Sequence, residues 1–112
     1  MTKKVLAGLC AAALVLVAGM ASADTYLRKG DQEIAVVIKD GKLFCTRVSD
    51  SYEMCNGMEK SADGAWRGGQ MKHPDMPGFM RFNGTVTFFP KELTIKGCAL
   101  GMCDSETWAK KA

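Results

Sequence analysis

Apolar and polar residues alternate with a period of two in the best-patterned part of the chain. Leu93, Ile95 and Gly97 interleave with Thr94 and Lys96, the pattern of a strand with one face in and one face out. Ile34 to Ile38 and Leu43 to Val48 are β-rich runs joined through K-D-G-K, and Asp-Gly is a two-residue hairpin turn signal. Helical periodicity is poor after residue 24.

The same reading extends along the chain. Residues 49–64 are polar and read as a loop. Ala65 to Met71 reads as a short strand carrying Trp66, and P-D-M-P-G as a turn. Phe79 to Phe82 reads as a strand turning at Asn83-Gly84 into a return strand, T-V-T-F-F. P-K-E turns into L-T-I-K-G, and after the Cys98–Cys103 turn Glu106 to Lys110 makes the last strand. Six or seven short strands in sequence predict an all-β protein, an antiparallel meander. So short a chain must curl it into a small barrel or half-barrel, because a flat sheet would expose a face and two edges.

The N-terminus has the three parts of an export signal. Lys3 and Lys4 precede an apolar stretch from Val5 to Val17, and A-S-A precedes Asp24. Ala21 and Ala23 are the small residues that signal peptidase accepts, so cleavage is expected after Ala23. This leaves a single domain over 24–112 in the periplasm or outside the cell. Gly8 and Gly19 and the adjoining A-S-A argue against a retained anchor, and Leu9 before Cys10 argues against lipid attachment. No later apolar run approaches the ~20 residues a spanning helix needs, so no stable membrane insertion is expected after signal removal.

Charge narrows the partners. The formal net charge is +3, but Lys3 and Lys4 belong to the signal, so the remainder is close to neutral. That gives no electrostatic reason for nucleic acid as a partner.

With Cys10 in the signal, Cys45, Cys55, Cys98 and Cys103 remain. An even count in a short exported chain reads as a disulfide framework. Three pairings are open, and short separations favour Cys45–Cys55 with Cys98–Cys103. Zinc is the rival, but Cys45-x9-Cys55 lacks the spacing of a structural zinc pair.

The order of motifs W-R-G-G-Q-M at 66–71, H-P, G-T-V-T-F, L-T-I-K-G-C-A-L-G-M-C and S-E-T-W-A-K, with D-G-K-L at 40–43, resembles the exported bacterial domain of unknown function 2147 family. The resemblance covers most of residues 34–110, includes Trp108 and Lys110 at the close, and implies a lipocalin-like barrel. It transfers no catalytic residue. The chain departs from the family in lacking a Gly-x-Trp opening and in its H-P-D-M-P, which leaves a missing strand and an unclosed barrel as the alternative.

Candidate chemistry is sparse. His73 is the one histidine, with no nucleophile motif near it, and Gly68-Gly69 is too short to cradle phosphate. The chain is expected to be neither an enzyme nor a cofactor carrier. A non-catalytic binding or envelope-associated role follows, with a small apolar ligand or an envelope protein as partner. The 49–64 loop and the 71–80 turn are the candidate partner surfaces. Trp66, Phe82, Phe88 and Trp108 could line a ligand cup, against the simpler reading that these rings fill the core. The alternative is periplasmic copper binding by Met71, His73, Met76 and Met80, to which Met54, Met58 and Met102 could add, since thioether and imidazole suit Cu(I) where thiols are oxidised; methionine as core filler is its rival.

Overall fold

The computed structural model describes residues 22–112 and shows eight antiparallel strands closed into a barrel. In chain order they are β1 (Ser22–Arg28), β2 (Gln32–Lys39), β3 (Lys42–Arg47), β4 (Tyr52–Lys60), β5 (Trp66–Met71), β6 (Phe82–Phe89), β7 (Glu92–Ala99) and β8 (Met102–Lys110). Each strand pairs with the next, and β8 returns to β1. The expected meander is present, and closure decides against the half-barrel. The segment read as an export signal lies outside the described residues except for Ser22 and Ala23, which open β1 opposite Ile38 and Val37.

The interior follows the period-two pattern. Tyr26, Ile34, Val36, Leu43, Val86, Leu93, Ile95 and Trp108 are buried inside one core. Tight turns set the register. Asp40-Gly41 and Leu100-Gly101 both have positive φ (53° and 76°, 55° and 78°), as two-residue type I′ hairpins require. Cys45 faces Cys55 and Cys98 faces Cys103 across their ladders, and both pairs are disulfide-bonded. On the chain-entropy estimate each stabilises by about 2–3 kcal/mol, a large share for a domain with so small a core.

Four expectations are corrected. The 49–64 stretch holds β4, with only a short turn before it. Two bulges hide this strand from the alternation: Met54 is the extra residue between the pairs Cys45–Cys55 and Thr46–Glu53, and Gly57, at φ 75°, the extra one between Leu43–Met58 and Phe44–Asn56. As a result Met54, Cys55 and Met58 are all buried.

Asn83-Gly84 is not a turn. It sits within β6, where Gly84 pairs with Gly68 of β5 and Gly97 of β7. A Cβ on Gly84 would lie 1.2 Å from the Met71 sulfur, so glycine stands there to admit a thioether. Consequently Phe79 is not in a strand but in the β5–β6 connection, 83% exposed. The last strand is longer than expected, beginning at Met102. Finally, the strand thought missing at the N-terminus is present as β1, which closes the barrel against β8.

That closing seam is short. Only Ala109–Leu27 and Lys110–Tyr26 pair between β8 and β1, with Lys111 N–H donating to Thr25 O at 2.9 Å. Beyond the ladder, side chains take over. Arg28, only 1% exposed, donates from Nε to Glu106 Oε1 at 2.8 Å and from Nη2 to Oε2 at 3.0 Å.

Candidate functional site

At the end of the barrel where β1 and β8 part, a cavity of about 430 Å³ opens between the β5–β6 connection and the β7–β8 hairpin. Local sequence explains the connection. His73-Pro74-Asp75-Met76 and Pro77-Gly78-Phe79-Met80 form two consecutive turns, closed by Met76 N–H to His73 O and Met80 N–H to Pro77 O, both at 3.0 Å. Pro74 supplies the φ that the second position of such a turn prefers. Each turn ends on a methionine, and both methionines line the cavity.

Met71 and Met54 are buried members of the same wall. Their strands are tied there by Lys72 N–H donating to Met54 O at 2.9 Å. Ile95, Gly97, Phe82 and Trp108 complete the apolar interior, and Leu100 and Met102 form a rim from the facing hairpin. The rim is open to solvent, with Leu100 93% exposed and Met102 76%.

One polar network borders this apolar surface. Glu106 accepts from Arg28 and from Trp108 Nε1, the latter at 2.9 Å. Arg28 also donates to Gln32 Oε1 at 3.0 Å and to Asp75 Oδ2 at 3.4 Å. Burial alone would raise the Glu106 pKa, but the hydrogen bonds and charge of Arg28, with the Trp108 indole, outweigh it and hold the carboxyl down at about 2. The Asp75 carboxyl is likewise lowered, mainly by Lys29 and then by Arg28.

His73 belongs to this network. Its Nδ1 accepts the Asp75 backbone N–H at 3.1 Å, which assigns the ring proton to Nε2, 3.4 Å from Glu106 Oε2. Its carbonyl accepts from the Tyr52 hydroxyl at 3.3 Å. Nδ1 is therefore engaged, and Nε2 lies beside the Glu106 carboxylate.

The four residues singled out for copper, Met71, His73, Met76 and Met80, all line the one cavity. Of the four aromatic cup residues only Phe82 and Trp108 do. Trp66 is buried at the β5–β6 pair with Val86, and Phe88 packs on Tyr26 with ring centroids 6.2 Å apart; neither is among the cavity walls. Of the three further methionines that could add to the copper set, Met54 and Met102 also line the cavity and Met58 does not; sequence reasoning missed the rim residue Leu100, whose exposure no local pattern shows. It also missed Arg28 and Glu106, which lie 78 residues apart. Among the described residues no three His, Cys, Asp or Glu side chains are placed to hold a metal ion.

The chain matches no protein-family model, no curated protein and no solved structure.

Proposed function

We propose that this chain is an exported, non-catalytic binding module that takes a small apolar ligand into the open end of its barrel. The cavity carries the reading. About 430 Å³ lies in the range of small-molecule sites, roughly 300–1,000 Å³, which are apolar with a few placed polar groups. Here the polar groups are Lys72, His73, Asp104 and Glu106, and most of the remaining wall is thioether, aromatic and aliphatic surface.

Export is supported by the two disulfides, which hint at an oxidising compartment outside the cytoplasm, and by the leader-like residues 1–23 with Ala21 and Ala23 before the cleavage point. The ordered motifs from D-G-K-L to S-E-T-W support kinship with the domain of unknown function 2147 family. The pairing of all four cysteines of the domain removes their thiols as nucleophiles. Copper handling is the second reading of the same cavity, favoured by the gathering of Met71, Met76 and Met80 there.

A fluorescent apolar probe titrated into the oxidised protein tests the main reading. Saturable binding by the native state, reversed by a competing fatty acid, is expected. A probe that lights up only on unfolding contradicts it.

A further inference from the structure

Six methionines lie within the described residues, and five of them line one cavity; Met58 is the exception. The site gathers sulfur as no other part of the molecule described here does. We propose that it binds a soft monovalent d10 cation, Cu(I), through the thioethers of Met54, Met71, Met76 and Met80 and without an imidazole. The proposal rests on the open end of the barrel being its binding end.

Three observations select this chemistry. The first is the donor set. The cysteines are paired with each other, Glu106 is occupied by Arg28 and Trp108, and no trio of His, Cys or carboxylate groups stands ready among the described residues. The donors that this cavity does gather are thioether sulfurs, neutral and soft and suited to Cu(I).

The second is the state of His73. With Nδ1 accepting from the Asp75 N–H and Nε2 directed at Glu106, neither nitrogen presents a free lone pair to the cavity. Its role is to brace the turn that carries Met76, and it is a positioning residue at most.

The third is placement. Met54 and Met71 are buried, 3% and 4% exposed, with the Met71 sulfur seated over Gly84. Met76 and Met80 project from equivalent positions of two successive turns. A floor and a lip of thioethers result, and methionine has the rotatable bonds to converge on an ion much smaller than the cavity. The ionisable residues on the cavity wall besides His73 are Lys72, Asp104 and Glu106, with Glu106 paired to Arg28, so the wall is close to neutral and the donors that remain are thioethers.

The experiment uses the oxidised protein under anaerobic conditions, with Cu(I) supplied from a chromophoric chelator and the apolar probe measured in parallel. The wild type is expected to withdraw one equivalent of Cu(I). Met76→Leu/Met80→Leu is expected to weaken this by about tenfold or more while still binding the probe saturably, with a smaller change in its affinity, because leucine keeps volume and apolarity and removes only the sulfur. His73→Gln is expected to stay within about threefold of the wild type. Ag(I) added to protein carrying 13C-labelled methionine methyls should move the cavity resonances and leave Met58 in place. No withdrawal of Cu(I) by the wild type overturns the proposal, and so does a His73→Gln loss as large as the double Met loss. Retained probe binding in either case leaves the cavity itself intact as a binding site; loss of both removes that reading too.

Discussion

Arg28 of β1 and Glu106 of β8 meet through two hydrogen bonds, at 2.8 and 3.0 Å, across the seam where the backbone ladder between their strands has stopped. The pair closes the barrel with side chains at the border of the cavity. A bidentate guanidinium–carboxylate contact is geometrically demanding, and here the arginine is buried while Glu106 keeps a side-chain exposure of 26%.

Removing one partner should therefore do more harm than removing both. Glu106→Leu leaves a buried guanidinium with only Asp75 and Gln32, and is expected to destabilise by about 3 kcal/mol. Arg28→Met/Glu106→Leu replaces the pair by apolar groups and should recover most of that loss. Urea denaturation of the three proteins checks this; equal losses from the single and double variants would contradict it.

Acid stability follows from the same contact. The folded-state pKa of Glu106 is depressed to about 2, below the ordinary glutamate value of about 4.3. A depressed carboxyl stabilises the fold above its unfolded pKa and loses that contribution as pH falls through its folded one. The wild type should thus lose on the order of 2–3 kcal/mol between about pH 5 and pH 2 through this group. Thermal melts across that range should show a shallower slope for Glu106→Gln than for the wild type.

Gly84→Ala tests the packing of Met71. A Cβ there would fall 1.2 Å from the Met71 sulfur, so the thioether must leave its place, at an expected cost of about 1–3 kcal/mol. Met71→Ala in the same chain should relieve part of it, giving a non-additive double mutant in chemical denaturation. Additive losses would show that Met71 does not lie over Gly84.

Leu100 holds φ at 55° in the β7–β8 turn while 93% exposed. An apolar side chain gains nothing from solvent, and the left-handed conformation costs about 1–2 kcal/mol for a residue other than glycine or asparagine. Leu100→Asn should raise the melting temperature and lower affinity for an apolar probe, since the rim is lost. A lower melting temperature would contradict the first part, and unchanged affinity would detach Leu100 from the site.

The legible parts of the molecule were those governed by local rules. The Asp40-Gly41 hairpin and the alternation about Leu93 and Ile95 follow from neighbours in sequence, and so does the presence of a disulfide framework, whose pairing the short separations favoured without deciding. Asn83-Gly84 misled because the pair that makes the best tight turn also makes the best gap: what Gly84 accommodates is a side chain from another strand. Residues 49–64 misled because two bulges, at Met54 and Gly57, break the period of two. Met71, His73, Met76 and Met80 were grouped by proximity in sequence, and the two consecutive turns do bring them to one cavity. Arg28, Glu106 and the hairpin rim join them only through closure of the barrel, which no local pattern encodes. Trp66 and Phe88 share the chemistry of a ligand cup but not its position.

Central to this account is a cavity that accepts an apolar guest at one end of an intact barrel. Methionine-methyl NMR of the native, oxidised protein, titrated with a small apolar fluorophore, addresses that most directly. The methyls of Met54, Met71, Met76, Met80 and Met102 should shift together and saturate, while Met58, buried away from the cavity walls, stays in place. Shifts spread evenly over all six, or none before the fold is lost, would contradict it.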